Sequence, residues 1–369
     1  MPASCGGPRR RESERSQAIE RLRAVENNLT PLVLVVAVLG LLAPEIGSAL
    51  SRAVTPLLAL LMLSVSLTFD WATVRRVLAR PRVQVLATGL VYGPMSMAGY
   101  VIGRQLFGAG PLGLGFALVG SLPTDVSSPL LVLIARGNVA LATVLNAVNT
   151  ALAPFVVPAL FILYTGVELD AAVAPLVGEL VVTVLVPTVV GVALRTRQPR
   201  RVRPVEPVLS ATASVAYLLL VLAVVGPNAD QVLRRPATMI LVAGAALTLN
   251  AIGYMLGWMT APLLTDPADR TAMLFTVSKK EFSIAAFLVF GSQLPAEVAL
   301  PAVIYAVIYA VVQMLTSPLV ARALARRAQR RACELRAVPL GIWPRGCPGP
   351  RDHPGVAGCD TCRGPDNGG

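Results

Sequence analysis

A series of apolar runs, most of them about 20 residues long, constrains this chain more than any other feature. A bilayer needs about 20 residues of helix at a rise of about 1.5 Å per residue. Only 14% of the residues are charged, whereas a soluble domain carries about 25%. We therefore predict an all-α polytopic membrane protein with about ten transmembrane helices, at residues 30–43, 54–69, 83–103, 112–134, 139–163, 173–194, 207–226, 237–260, 271–291 and 299–321. The first run is short and Pro44 follows it, so nine spans are the alternative.

The arginines indicate how these spans are oriented. If the N-terminus is cytoplasmic and ten spans alternate, 26 of the 30 arginines fall on the cytoplasmic side. This asymmetry is the positive-inside bias of membrane proteins, so the net charge of +12 reports topology and not a nucleic-acid partner. We predict a multi-pass protein of the plasma membrane with both termini in the cytoplasm. No clear cleavage site follows the polar, arginine-rich residues 1–28, so no cleavable signal is predicted.

Both ends of the chain differ from its apolar middle. Residues 1–28 are predicted to form a basic cytoplasmic tail. Residues 328–369 are rich in Gly and Pro with almost nothing to bury, so a disordered cytoplasmic tail is predicted there. All five cysteines lie outside the predicted spans. A CDTC segment with His353 nearby could form a zinc site, but the disordered tail is the preferred interpretation, and neither a metal nor a cofactor is predicted.

The middle of the chain contains a short internal repeat. Asn138-Val-Ala-Leu opens the fifth apolar run, and Glu297-Val-Ala-Leu opens the tenth. Because five spans is an odd number, the second copy, residues 164–327, would be inverted in the membrane relative to the first, residues 29–163. Inverted repeats are typical of carriers that expose a central site alternately to the two sides.

The fourth apolar run is interrupted at its centre. Pro123 and Pro129 each remove a backbone hydrogen-bond donor. Four polar side chains lie between them, those of Thr124, Asp125, Ser127 and Ser128. Lipid cannot satisfy freed carbonyls or a carboxylate. This segment is therefore predicted to be buried in protein or to line a cavity.

The ninth run contains Lys279 and Lys280, the only lysines in the chain, followed by Glu281. A charge at the bilayer centre costs about 2.5 to 3.5 kcal/mol on insertion scales. In one interpretation the segment is a cytoplasmic loop, but the apolar residues after it, 282–290, are too few to span a bilayer. In a second, the two lysines neutralise Asp125 and Glu281 in a purely structural cluster. In a third, two broken helices cross around a cavity where these groups bind or couple.

The interrupted fourth run and the turn after it resemble a known family. The stretch PTDVSSPLLVLIARGNVALATVLNAVNTALAPFVVP, with PLLALLMLSVSLTFD and VALPAVIYAV, is similar to the bile acid:sodium symporter family, and the resemblance covers residues 29–327. It implies ten spans in two inverted five-helix repeats, whose broken fourth and ninth helices cross. It also implies a secondary active transporter, not an enzyme. Such a transporter carries a small organic anion by alternating access between a core domain and a panel of spans one, two, six and seven, and it binds sodium near the crossing.

The residues that fall on the family's sodium-binding motifs mostly do not suit sodium. The serine of the family's break is present as Ser128, and the other motif positions are occupied by Pro129, Ala142, Asn146, Thr276, Lys280 and Glu281. An ammonium supplies no oxygen ligand, so sodium binding is doubtful and a lysine is expected to replace the ion. A lysine that keeps its proton would leave transport uncoupled, whereas one that exchanges it would couple transport to protons.

Asn149 lies three residues after Asn146, and it either joins the site or makes a polar contact between helices. The predicted site therefore comprises Thr124, Asp125, Ser127, Ser128, Asn146, Asn149, Lys279, Lys280 and Glu281.

Four other functions are weighed against this prediction. A sodium-coupled symporter would need an atypical ion site. An arsenite-type efflux carrier would need a thiol within the membrane, and the predicted spans contain no cysteine. A membrane enzyme could use Asp125 and Glu281 as an acid–base pair, but no nucleophile motif or metal constellation accompanies them. A solute sensor that binds without transporting is the remaining alternative.

Overall fold

The computed structural model describes residues 29–69, 71–165, 173–290 and 296–337, and this part of the chain is helical, without strands. Its α-helices are α1 (Leu29–Leu42), α2 (Pro44–Ser51), α3 (Val54–Ser66), α4 (Trp71–Leu78), α5 (Pro81–Tyr92), α6 (Pro94–Phe107), α7 (Pro111–Ser121), α8 (Ser128–Ile134), α9 (Val139–Thr165), α10 (Val173–Leu180), α11 (Val186–Arg197), α12 (Pro199–Val202), α13 (Glu206–Val225), α14 (Ala229–Arg234), α15 (Pro236–Met259), α16 (Pro267–Ser278), α17 (Phe282–Phe290) and α18 (Ala296–Ala337). A π-helical segment, Val181–Leu185, joins α10 to α11.

Six helical segments of the described chain are long and apolar enough to cross a bilayer. They are Pro81–Phe107, Val139–Tyr164, Val177–Arg197, Pro199–Asn228, Pro236–Leu263 and Pro301–Gln329. The pair Pro31–Leu42 and Pro44–Ser51 is bent by 101° at the position where Pro44 was expected to end the first run, and it makes a seventh if the two helices form one span. The prediction of an all-α polytopic membrane protein is thus confirmed. The count of ten spans and the inverted repeat stay predictions.

The described residues include the first part of the predicted C-terminal tail, residues 328–337. Helix α18 continues to Ala337, so residues 328–337, which the sequence assigned to the disordered tail, are helical. The N-terminal tail, residues 1–28, and the CDTC segment lie outside the described residues.

The fourth and ninth apolar runs are both broken near their centres, as the polar residues predicted. Helix α7 ends at Ser121 and α8 begins at Ser128 with Pro129 in its first turn, a position that tolerates proline because its N–H has no helical partner. Helix α16 ends at Ser278, Lys279 is extended with φ −109° and ψ 140°, and α17 begins at Phe282. The breaks explain why neither run counts as one long helix.

Glycines allow the helices around the breaks to approach closely. Cβ atoms added at Gly253 and Gly257 of α15 would lie 2.6 Å from the Cα atoms of Ser278 and Leu274 in α16. A Cβ at Gly99 of α6 would likewise lie 2.6 Å from the Cα of Gly120 in α7. Close backbone approach at small residues is the usual way in which membrane helices associate. These contacts hold α7 and α16, the two helices that lead into the breaks.

Gly120→Ala should therefore destabilise the protein, because the added methyl group overlaps the backbone of α6 at Gly99 and overpacking costs about 1 to 3 kcal/mol. Gly89→Ala is the matched control, since a Cβ at Gly89 of α5 meets no atom within 4 Å and alanine favours a helix by about 1 kcal/mol over glycine. Melting curves of the purified protein in detergent would compare them. Equal melting temperatures for the two variants would contradict the role given to the contact between α6 and α7.

Candidate functional site

The two broken helices meet at their breaks and are joined by hydrogen bonds. The Glu281 N–H donates to the Pro123 carbonyl at 2.9 Å, and the Thr124 hydroxyl donates to the Thr276 carbonyl at 2.8 Å. The Ser128 hydroxyl lies 3.4 Å from the Phe275 carbonyl. Segment 279–281 is at most 1% exposed, so its interpretation as a cytoplasmic loop is wrong.

Lys280 holds two main-chain carbonyls with its ammonium. Its Nζ lies 2.9 Å from the carbonyl oxygen of Val91, near the end of α5, and 2.9 Å from that of Leu122, in the fourth-run break. Carbonyls freed at a break need donors, because lipid supplies none. The lysine side chain thus satisfies one backbone carbonyl of α5 and one of the fourth-run break inside the protein.

Lys279 faces a carboxylate. Its Nζ lies 3.8 Å from Oδ1 of Asp125, and both side chains are fully buried. Within the described chain this ammonium has no hydrogen-bond partner, so the pair is a charge contact longer than a hydrogen bond. Together with Lys280 and Glu281, the crossing contains two buried cations and two buried anions, whose formal charges cancel.

The two carboxylates accept hydrogen bonds from the backbone at the breaks. Asp125 Oδ1 accepts from the Ser127 N–H at 2.8 Å and from the Ser127 hydroxyl. Glu281 Oε2 accepts from the Val126 N–H at 2.9 Å, and its Oε1 accepts from the hydroxyl and the N–H of Ser283 at 2.5 and 3.2 Å. Charge-assisted bonds of this kind are among the strongest in proteins. Each break therefore contributes one carboxylate that accepts hydrogen bonds from backbone N–H groups.

Gln313 of α18 also binds the crossing, although the sequence did not single it out. Its Oε1 accepts from the Lys280 N–H at 3.0 Å, and its Nε2 donates to the Lys280 carbonyl at 3.1 Å and to Asp125 Oδ2 at 3.3 Å. A lone amide within an apolar run was the signal that could have identified it. The Ser278 carbonyl, at the end of α16, accepts from Asn250 and Tyr309.

The predicted asparagines occupy different surroundings. Asn149 donates to the Thr124 hydroxyl at 3.0 Å and accepts from Thr88 at 2.8 Å, so it links the fourth-run break to α5. Asn146 accepts from Thr150 of its own helix at 3.2 Å and lines a small cavity of about 10 Å³, which Val126 of the fourth-run break also lines. Its side-chain bond within the described chain does not connect it to the charged cluster.

A crevice of about 200 Å³ opens beside the crossing. Seven of its lining residues are apolar or proline and the other seven carry hydroxyl groups: Leu61, Ser64, Val65, Thr68, Phe69, Val126, Ser127, Pro129, Leu130, Thr143, Ser210, Ala213, Ser214 and Tyr217. They come from α3 and the turn after it, the break before α8, α8 itself, α9 and α13. Two of them, Ser127 and Tyr217, also approach Asp125, with the Tyr217 hydroxyl 3.5 Å from Oδ2. The crevice is therefore in contact with the charged cluster through hydroxyl groups.

Comparison with known proteins identifies the family. The family model described as the SBF-like CPA transporter family matches residues 27–326. The chain belongs to this family. It is similar to the uncharacterized sodium-dependent transporter YocS of Bacillus subtilis (25% identity, covering 74% of this chain and 84% of YocS). It is also similar to the probable chloroplastic sodium/metabolite cotransporter BASS1 of Arabidopsis thaliana (25%, covering 65% and 60%) and to the human hepatic sodium/bile acid cotransporter (25%, covering 62% and 67%). Membership confirms that the chain is a transporter of this family, not an enzyme.

The ARGNVAL turn that carried the resemblance has a structural role. Asn138 accepts from the Leu141 N–H at 3.1 Å at the start of α9, and it donates to Asp269 of α16 at 2.7 Å. Arg80 binds the other oxygen of Asp269 at 2.8 Å. The turn therefore fastens α9 to the beginning of the ninth run, at one end of the crossing.

Several oxygens at the crossing already have donors within the protein. The Val91 and Leu122 carbonyls already hold the Lys280 ammonium, and the carboxylates already accept from protein donors. Thr276 Oγ1 and Ser278 Oγ are buried without hydrogen-bond partners among the described residues.

Gln313→Leu should lower the stability by about 2 to 4 kcal/mol, because buried groups of Lys280 and Asp125 lose their amide partner. Gln198→Leu provides the matched control at an exposed position of the α11–α12 turn and should leave the melting temperature unchanged. Thermal unfolding in detergent measures both. A Gln313→Leu protein as stable as the control would show that the amide does not support the crossing.

Proposed function

We propose that this protein is a secondary active transporter of a small organic solute, which works by alternating access and uses the ammonium groups of Lys279 and Lys280 in place of bound sodium. The observation that carries the proposal is the position of the Lys280 Nζ, 2.9 Å from each of two main-chain carbonyls. Such carbonyls are typical ligands of a cation, and here the cation is part of the protein.

Charge balance supports the proposal. The two lysines cancel Asp125 and Glu281, so the cluster is neutral without an added ion. An additional sodium ion would leave a net positive charge in a buried site, where an uncompensated charge is costly. The names of the relatives indicate sodium dependence in those proteins.

The position of the crevice supports alternating access. Its lining residues lie near the end of α3, near the start of α13, in the fourth-run break with the first turn of α8, and at Thr143 near the start of α9. The end of α3, the start of α13 and the start of α9 adjoin the arginine-rich loops, which we assign to the cytoplasm, together with both termini, in a plasma-membrane protein. The crevice therefore belongs to a state open toward the cytoplasm, and transport requires a second state open to the other side.

The two lysines differ in their suitability for proton exchange. Lys280 uses its ammonium protons to hold two carbonyls, so losing the charge would weaken the crossing itself. Lys279 makes no hydrogen bond among the described residues and faces Asp125, which Ser127 and Tyr217 connect to the crevice. Proton-coupled transport would therefore use Lys279, whereas a permanently protonated Lys279 would leave transport uncoupled.

Sodium should not stabilise the wild-type protein beyond a choline control, because the cation is already present. A sodium ion at 100 times its Kd would add about 2.7 kcal/mol to the stability, which a melting curve in detergent detects readily. Sodium-specific stabilisation of the wild type would overturn the proposal in favour of a symporter with an atypical site. Thr276 and Ser278 would then be the first ligands to test, through their unpaired hydroxyl oxygens.

Lys280→Met should destabilise the protein by about 3 to 5 kcal/mol, since it leaves an uncompensated buried negative charge. Lys280→Gln should be milder, because its amide can donate to one of the carbonyls. The Gln variant should also acquire a sodium response that the wild type lacks, because its cluster has one net negative charge. A Lys280→Met protein with wild-type melting and no sodium response would contradict the role of this lysine.

A further inference from the structure

The crevice wall restricts the class of solute that can bind there. Val126 and Ser127 are the residues of the fourth-run break that line the crevice, and the N–H of each is already used. The Val126 N–H donates to Glu281 and the Ser127 N–H donates to Asp125, at 2.9 and 2.8 Å. Pro129, the next lining residue along the chain, has no N–H. These backbone positions therefore leave no free donor for a carboxylate of the solute.

Most hydroxyl protons of the crevice are also engaged. Five of its seven hydroxyl groups donate to acceptors of the protein: Thr68 to the Val65 carbonyl, Thr143 to the Val139 carbonyl, Ser214 to the Ser210 carbonyl, and Ser127 and Tyr217 to Asp125. A hydroxyl whose proton is used still has lone pairs that accept hydrogen bonds. The wall therefore offers the solute mainly acceptors.

The distribution of charged side chains near the crevice also disfavours an anionic solute. None of the residues that line it is charged, and Lys279 and Lys280 are at most 1% exposed. The carboxylate of Asp125 lies directly behind Ser127 and Tyr217. An anion that entered would lose hydration without meeting a counter-ion, which is unfavourable, whereas a hydroxyl or an ammonium would find acceptors.

We propose that the crevice binds a neutral or cationic solute that brings its own hydrogen-bond donors on a small apolar body, rather than a carboxylate-led organic anion. This inference rests on the function proposed above and refines its substrate class. It replaces the organic anion that the family resemblance predicted with a solute carrying hydroxyl or amino groups. The half-apolar wall suits the body of such a solute, and the hydroxyl oxygens suit its polar end.

A matched set of probes tests the inference on the full-length protein. Tyramine, tyrosol and 4-hydroxyphenylacetate share a hydroxyphenyl body and differ in a terminal ammonium, hydroxyl or carboxylate. Thermal stabilisation in detergent gives their relative affinities, and uptake of the labelled compounds into proteoliposomes tests transport. Several such trios with different bodies separate the terminal group from the body. In each trio that binds, we expect the carboxylate to bind at least about tenfold more weakly than the other two members.

The site of binding is tested with one pair of variants. Ser210→Leu fills the crevice and should abolish stabilisation by the probes. Thr212→Leu, two residues along the same helix, is the control, because Thr212 does not line the crevice and binds its own helix at Val208. Loss of the response in Ser210→Leu alone would locate the probes in the crevice.

Each outcome decides the inference. Trios in which the carboxylate binds best, with a response lost in Ser210→Leu, would overturn it and restore the organic anion. Absence of binding by every trio, or binding equally lost in Thr212→Leu, would show that this crevice does not select the solute as proposed. The melting experiments with sodium use no solute, so the replacement of sodium by lysine stands or fails separately from the solute class.

Discussion

The crossing of the two broken helices depends on the Lys280 ammonium and the two carbonyls that it binds. Breaking a helix inside a bilayer exposes main-chain groups that neither lipid nor the helix itself can satisfy. The Lys280 ammonium satisfies one such carbonyl of α5 and one of the fourth-run break. Glu281 and Asp125 satisfy backbone donors in the same way, because they accept from N–H groups that the fourth-run break leaves free.

The polar groups of the crossing therefore form a nearly closed set. Lys280 binds two carbonyls, the carboxylates accept from backbone N–H groups, and Gln313 connects the backbone of Lys280 to Asp125. The formal charges of the two lysines and the two carboxylates cancel. The consequence for transport is that a solute in the neighbouring crevice meets hydroxyl groups and apolar side chains, with the charged cluster behind them.

Ser127 and Tyr217 connect the charged cluster to the crevice. Tyr217 comes from α13 and lies against both breaks, with its hydroxyl near Asp125 and its ring edge-to-face with Phe282 at 4.8 Å. Movement of α13 relative to the crossing would change both contacts. Asp269 instead holds two helices together. Arg80 and Asn138 bind it at one end of the crossing helices, where it joins α9 to α16.

The sequence by itself determined the membrane class, the arginine asymmetry and the location of both breaks, because apolar length, charge and proline act locally along the chain. It also identified Asp125, Lys279, Lys280 and Glu281, since an unpaired charge cannot remain in lipid. Only the tertiary structure decided which groups pair. Lys280 binds carbonyls rather than a carboxylate, and Gln313 joins the cluster, because each pairing joins segments that are far apart in the sequence.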